Sequence, residues 1–269
     1  MTDPRPGRAK RSLGQNFLVD PNLQRKIVAA VGAGPDDEVV EIGPGRGALT
    51  EHLAGRVRRL VLVELDDDLA SQLADRYAGR DDVVVLHGDV LKTDWTDQLE
   101  DPAQARVVGN IPYNITSPIV FRVLEQPRPH SIVLLMQKEV AERIAAPVGT
   151  KAYGALSVGV RAVARAERLF GVGRNAFRPV PGVDSAVVRL TPNRPVSVRP
   201  EDEVQLRRLT RATFQWRRKQ MQKTLRDHPD LRLTPDQVVA ACSAAGIEPT
   251  FRPEELAPDT FVALARALP

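Results

Sequence analysis

Seven short apolar runs recur through the first 191 residues, most of them separated by stretches of helical character. They are Glu38–Ile42, Leu60–Glu64, Val83–His87, Arg106–Asn110, Ser131–Gln137, Glu167–Val172 and Ala186–Thr191. A strand with one wet face alternates apolar and polar residues, whereas a strand buried on both faces reads as a continuous apolar run. Such runs alternating with helices define an α/β class with a mostly parallel sheet covered on both faces. The last two runs have no clear helix between them and read as an antiparallel pair at the sheet edge. Helix starts support the pattern. Asp20-Pro21 gives a cap and a first-turn proline before Leu23, Ile27 and Val31, with Gly32 or Gly34 as the stop. Asp66 to Asp68 precede Leu69, and Thr116-Ser117 precede Pro118.

The segment 191–200, TPNRPVSVRP, holds three prolines and reads as a linker from about residue 192. Beyond it the pattern is helical, over 201–226, 235–245 and 258–268, with a break expected near Trp216. The expected organisation is a domain of residues 1–191, a linker of 192–200 and a small all-helical domain of 201–269.

Composition narrows the class. Hydrophobic residues make up 42% and charged residues 27%, ordinary for a folded chain. The longest pure apolar runs, such as Ile132 to Met136, are too short to span a bilayer. The start, MTDPRPGRAKRS, lacks the apolar stretch of an export signal. The single cysteine, Cys242, has no internal partner, and the expectation is a reducing cytoplasm. Four scattered histidines offer no metal-ligand spacing, and no metal is expected. The net charge of +4 is uneven. Residues 1–12 carry +3, and residues 204–226 carry eight basic groups and no acid, which leaves about −7 for the rest. Two basic patches on an acidic body suggest a polyanionic partner met at particular surfaces, against the plainer reading of a solvated helix face.

The chemistry concentrates at strand ends. EIGPGRG, Glu41 to Gly47, follows the first run and opens a helix near Ala48. Glycines there let a ligand approach the backbone closely. Gly43-x-Gly45-x-x-Ala48 also fits a dinucleotide pattern, so a nicotinamide-dependent oxidoreductase stands as a rival reading. Glu41 opposes a pyrophosphate but suits a cationic ligand such as S-adenosylmethionine, which carries a sulfonium and an ammonium and no phosphate. Glu64 ends the second run, 17 residues after Gly47, where an acid accepts from ribose hydroxyls. Asp89, in GDVL, follows the third run and can accept from an adenine amine. For one such acid alone, helix capping or surface charge is the plainer reading. Three acids at three successive strand ends, with one glycine loop, point to a nucleoside cofactor.

Asn110-Ile111-Pro112-Tyr113 follows the fourth run. Asn and Pro punctuate strand ends routinely. The functional reading assigns Asn110 and a nearby backbone carbonyl as acceptors for the two N–H bonds of an adenine amine. That arrangement favours a pyramidal nitrogen whose lone pair can attack a methyl group. Pro112 stiffens the loop and Tyr113 can stack on the base.

QNFL (Gln15–Leu18), EIGPGRG, Glu64, GDVL, NIPY and NAFRPVPGVDS (Asn175–Ser185) occur in this order. Together they resemble the family of ribosomal RNA adenine dimethyltransferases, most closely its KsgA type acting on small-subunit rRNA. The motifs cover residues 15–185, and FQWRRKQMQKTL resembles that type's C-terminal domain. The resemblance implies a Rossmann-like class I methyltransferase domain with a seven-stranded sheet, a small helical RNA-binding domain, and S-adenosylmethionine as donor. It implies cofactor contacts at Asn16, Leu18, Gly43, Glu64, Asp89 and Asn110, beside Glu41 and Gly45 from the glycine loop. It implies a catalytic loop of Asn110, Ile111, Pro112 and Tyr113; leucine is common where Ile111 stands. Phe177, between Asn175 and Pro179, is expected to be an exposed second aromatic sandwiching the target base; the plainer reading is a core aromatic. Arg217, Arg218, Lys219 and Lys223 are expected to hold RNA. The implied partner is small-subunit rRNA in a pre-ribosomal particle, met by a monomer. The nearer rivals are the large-subunit enzymes of antibiotic resistance and a non-catalytic RNA- or DNA-binding factor on the same fold.

Overall fold

The computed structural model describes residue 10 and residues 13–269; Arg5, Arg8 and Arg11 of the expected basic arm lie outside the described residues. In chain order the first elements are β1 (Phe17–Leu18), α1 (Pro21–Val31), β2 (Glu38–Ile42), α2 (Thr50–Leu53), β3 (Arg59–Glu64) and α3 (Asp67–Arg76). Then come β4 (Val83–His87), β5 (Arg106–Asn110), α4 (Thr116–Val123), β6 (Ser131–Gln137), α5 (Lys138–Ile144) and α6 (Ala155–Arg161). The rest are β7 (Ala164–Val172), β8 (Phe177–Arg178), β9 (Ser185–Pro192), α7 (Pro200–Gln215), α8 (Met221–Asp227), α9 (Pro235–Ala244) and α10 (Pro258–Arg266).

Seven strands form one sheet in the order β4-β3-β2-β5-β6-β9-β7. The first five are parallel neighbours, and β9 runs antiparallel to β6. Every residue of β2 is buried, as a central strand covered on both faces must be. The strand order reverses between β2 and β5, so the C-terminal ends of these two strands flank the crevice where ligands of open α/β sheets bind.

The backbone of β5 approaches β2 closely at Gly109. A Cβ there would stand 2.7 Å from the Ile42 carbonyl oxygen and 2.9 Å from Ile111 Cδ1. Gly109→Ala is therefore expected to cost about 1–3 kcal/mol of stability, read as a lowered thermal midpoint. A midpoint equal to wild type would mean that the two strands part without penalty.

Local chemistry fixes the helix ends. Asp20 Oδ1 accepts from the amides of Asn22 (2.8 Å) and Leu23 (3.1 Å), and Gly32 closes α1 at φ 65°. Asp66 Oδ1 accepts from Asp68 (3.1 Å) and Leu69 (3.3 Å) and starts α3. α4 departs from expectation: it begins at Thr116 behind Ile115 without a side-chain cap, and Thr116 Oγ1 instead donates to the Pro112 carbonyl at 3.0 Å. α7 ends at Gln215, with Trp216 as its C-cap.

A two-stranded ribbon of β1 and β8, antiparallel with Leu18 opposite Phe177, joins segments far apart in sequence. The sequence offered no sign of it, because two-residue strands are too short to carry a period.

The chain divides into two compact units. The first comprises the described residues up to 141 together with 167–191, the second 142–166 and 192–269. Residues 142–166, placed by sequence in the first domain, thus belong with the C-terminal helices. The reason is a shared core: Tyr153 is fully buried and its hydroxyl donates to the Leu256 carbonyl at 2.8 Å. Its ring meets Phe214 edge-on at 5.9 Å, and Phe214 stacks on Phe261 at 5.8 Å. Among the described residues no helix is long and apolar enough to cross a membrane.

Candidate active site

A cavity of about 600 Å³ opens in the first unit at the C-terminal ends of β2, β3, β4 and β5. Asn16, Leu18, Glu41, Gly43, Gly45, Glu64, Asp89 and Asn110 all line it, as do Ile111, Pro112 and Tyr113. Eleven of the residues named from sequence as catalytic or cofactor-contacting thus meet around one space.

Glu64 organises the glycine loop. It is 5% exposed, and its two oxygens accept from the amides of Gly45 and Asp66, each at 2.9 Å. Burial raises its pKa, and those two amides pull it back. A carboxylate has about four acceptor positions, so two remain for a ligand's hydroxyls. Gly45 takes φ 59°, and a Cβ there would press within 3.2 Å of the Phe17 ring. Phe17 in turn lies 4.4 Å from the Arg46 guanidinium, centroid to carbon, a cation–π contact at the cavity wall. Phe17, part of the QNFL motif but not among the expected cofactor contacts, thus joins its neighbours Asn16 and Leu18 at the cavity.

Glu41 is 2% exposed and accepts from Thr50 Oγ1 at 2.7 Å, which ties the end of β2 to the start of α2. Burial pushes its pKa up from 4.5 to about 8, against the Thr50 bond and with help from Glu64. The sequence suggests a carboxylate here, whereas burial favours the neutral acid. The folded state holds this proton more tightly than the unfolded chain does. Its stabilisation is therefore full below pH 4.5 and is lost as pH rises to about 8. Glu41→Gln keeps an acceptor for Thr50 and is expected to flatten the fall in thermal midpoint across that window; an unchanged slope would assign the fall to other groups.

Asp89 Oδ1 accepts from the Leu91 amide at 3.0 Å in a tight turn after β4. Asn110 Nδ2 donates to the Asn16 carbonyl at 2.8 Å. A carbonyl accepts only from a donor, so this bond fixes the amide orientation and leaves Oδ1 as the group's acceptor in the cavity. Tyr113 bonds through its hydroxyl to Ser185 Oγ at 2.5 Å, and Ser185 is fully buried at the start of β9. Burial raises the Tyr113 pKa, the Ser185 bond opposing it.

Asp66, expected from sequence only as a helix cap, also clamps Lys10 and Gln15 to this site. Asp66 Oδ1 pairs with Lys10 Nζ at 2.9 Å, and Oδ2 accepts from Gln15 Nε2 at 2.8 Å. Burial works against the Asp66 carboxylate, but the Lys10 and Gln15 bonds win and hold its pKa below the usual range.

Phe177 corrects the expectation of an exposed aromatic. It is 0% exposed, does not line the cavity, and packs with Leu18, Leu49, Val172 and Val187. In β8 the side chains alternate, so pairing with β1 turns Phe177 into the core and Arg178 out to solvent.

The basic segment lies in the second unit and is less uniform than its charge. Arg217 donates to the carbonyls of Lys151 (2.8 Å) and Thr150 (2.9 Å) and faces Glu254 at 3.8 Å. Arg207 pairs with Glu203 and Arg226 with Asp227, acids that flank the acid-free window. Arg218, Lys219 and Lys223 are exposed.

Besides the buried Glu41, three acids line the cavity, Glu51, Glu64 and Asp89, against one cation, Arg46, already stacked on Phe17. That balance opposes a pyrophosphate and removes the case for a nicotinamide dinucleotide. With a reversed β9 beside β6, the fold and cavity define a Rossmann-like methyltransferase. The sequence model of the ribosomal RNA adenine dimethylase family matches residues 7–267, and the chain belongs to that family. It is 43% identical over 265 residues to a ribosomal RNA small subunit methyltransferase A of Geobacillus thermodenitrificans, covering 96% of this chain and 90% of the relative. The protein of the same name from Pseudomonas syringae pv. syringae is 41% identical over 269 residues, 100% of this chain and 97% of the relative. Among solved structures, a dimethyladenosine transferase from Plasmodium falciparum is similar at TM-score 0.73 and 26% identity, covering 92% of this chain and 95% of that one. The 23S rRNA methyltransferase ErmE is similar at TM-score 0.69 and 29% identity, covering 94% and 99%.

Proposed function

We propose that this protein transfers two methyl groups from S-adenosylmethionine to the exocyclic amine of adenine in small-subunit rRNA. The observation that carries the reading is the Asn110–Asn16 hydrogen bond, which reserves the Asn110 carboxamide oxygen for a donor entering the cavity. The cavity suits the cofactor: its net acidity favours a cation, Glu64 retains acceptor capacity for ribose hydroxyls, and Gly45 has no Cβ to fill the space beside Phe17. Bound there, the cofactor supplies an electrophilic methyl group on a sulfonium.

The chain's own residues then do four things. Glu64 and Asp89 hold the nucleoside by accepting from its hydroxyls and amine. Asn110 Oδ1 accepts an N–H of the target amine, which withdraws the nitrogen lone pair from the ring and aims it along the transfer line. Pro112 holds the loop, and Tyr113 offers its ring to the base. Its hydroxyl is engaged with Ser185 and its pKa is raised, so Tyr113 is no general base; the amine's proton leaves late, to water. The target adenine must first leave its stack, at a cost of a few kcal/mol. Alignment of amine and methyl group contributes up to roughly 7–11 kcal/mol of barrier lowering.

Exposed Arg218, Lys219 and Lys223 contribute phosphate contacts in this reading, while Arg217 acts as an internal brace. The reading entails a monomer working on small-subunit precursors in the cytoplasm. Its 43% and 41% identities to small-subunit enzymes, against 29% to ErmE, favour the small subunit over the large. The test is transfer of labelled methyl groups to small and large subunits lacking their natural modifications, followed by nucleotide mapping. Label on adenines of the small-subunit RNA is expected. Label confined to the large subunit would replace this reading with the ErmE-like one, and no label on either would remove the activity.

A further inference from the structure

At the end of α7 the second unit has a small hollow of about 270 Å³ lined by Gln215, Trp216, Arg217, Arg218 and Lys219. It is smaller than the roughly 300–1,000 Å³ of sites for drug-sized ligands, a size for one flat ring system. Its chemistry is one aromatic ring among cations. Trp216 is half-buried, while Arg218 and Lys219 are exposed one turn away. Among the described residues no ion pair joins either cation to an acid.

The hollow is also rigid. The Lys219 amide donates to the Trp216 carbonyl at 2.7 Å and closes the turn. Arg217 braces it from beneath through the carbonyls of Thr150 and Lys151. The indole rests against the His228 ring, centroids 4.9 Å apart at 61°. His228 is 3% exposed; its Nδ1 accepts from the Asp230 amide at 3.2 Å, so Nε2 carries the proton and donates to Gln215 Oε1 at 2.9 Å. An aromatic platform held in place before its ligand arrives loses little freedom on binding.

We propose that this hollow binds one unpaired RNA nucleotide, its base stacked on Trp216 and its backbone phosphates on Arg218 and Lys219. The proposal rests on the reading of the basic segment as an RNA surface and adds that the surface reads single-stranded character. A phosphate surface without an aromatic grips duplex and single strand alike, whereas a stacking ring needs a base out of its helix.

The test uses the full chain with an eight-nucleotide unstructured oligoribonucleotide, an RNA duplex of the same length, and an acidic peptide of matched charge. The single strand is expected to quench tryptophan fluorescence; the other tryptophan, Trp95, is 2% exposed in the first unit, so Trp216→Phe should abolish the signal. Trp216→Leu should weaken single-strand binding about 5- to 150-fold, the range of base–aromatic stacking, while leaving the salt slope intact. Trp216→Phe, which keeps a ring, should bind nearly as wild type. Arg218→Ala with Lys219→Ala should instead lower the slope by about 0.7 log units per lost phosphate. If Trp216→Leu binds the single strand as wild type while the double alanine variant weakens it, phosphate contact stands and the base site falls. Equal losses in the Leu and Phe variants would make Trp216 a packing residue and overturn the proposal, as would equal quenching by the duplex or the peptide. If neither the tryptophan nor the cation variants alter binding, the RNA reading of this segment falls as well.

Discussion

Asn110→Ala is expected to lower the rate of methyl transfer by on the order of 10²–10³, the usual loss when one preorganised hydrogen-bonding group is removed from a reacting centre. The cause is the carboxamide oxygen, which is left for the target amine because the amide nitrogen is committed to the Asn16 carbonyl at 2.8 Å. The substitution also cuts that second bond, so the N-terminal segment along the cavity loses an anchor. Asn110→Asp separates the two roles. It keeps an oxygen toward the amine but sets a carboxylate against the Asn16 carbonyl, and that repulsion should loosen residues 13–18 and weaken cofactor binding. Single-turnover rates at saturating cofactor measure the first effect and equilibrium titration the second. A folded Asn110→Ala enzyme with full turnover would reduce the loop to a turn.

Glu64→Ala is expected to raise the dissociation constant for S-adenosylmethionine about 10- to 150-fold for each charge-assisted hydrogen bond lost, since such a bond contributes about 1.5–3 kcal/mol. The structure adds a second cost. The amides of Gly45 and Asp66 both donate to this carboxylate, and both lose their acceptor. Glu64→Gln retains one oxygen and should fall between wild type and alanine. Because burial raises the Glu64 pKa, affinity should also weaken on acidification, and that dependence should vanish in the glutamine variant. Calorimetric titration across pH checks both; unchanged affinity in a folded alanine variant would take Glu64 out of the site.

What the sequence disclosed, it disclosed where local pattern and tertiary role coincide. The bounds of β2, β5 and β6 match their apolar runs because these central strands are buried on both faces, so burial is written directly in composition. β3 begins one residue before its run, and β4, only half-buried at the sheet edge, was legible from its β-branched residues instead. The site lay at the ends of those strands, and finding the strands located Glu64, Asp89 and Asn110. Where the partner is distant, the pattern was silent. Phe177 is surrounded by prolines and a basic residue, the signature of a surface loop, but its burial is decided by Leu18 on the far side of the chain. Residues 142–166 carry no local mark of their unit, since Tyr153 finds its acceptor 103 positions away. Arg217 sits in a window without acids, and charge counting cannot see that backbone carbonyls satisfy it.

The division of the chain has a consequence for anyone cutting it. The polypeptide passes between the two units three times, after residues 141, 166 and 191. A fragment beginning at residue 192 would carry Phe214, Phe261 and Leu256 but not the ring and hydroxyl of Tyr153 that join them. The helical unit is therefore not a cassette that a single splice can move onto another methyltransferase. A transplant needs the 142–166 excursion and the C-terminal stretch together, as two insertions into one host, so exchange of this module by recombination demands paired events.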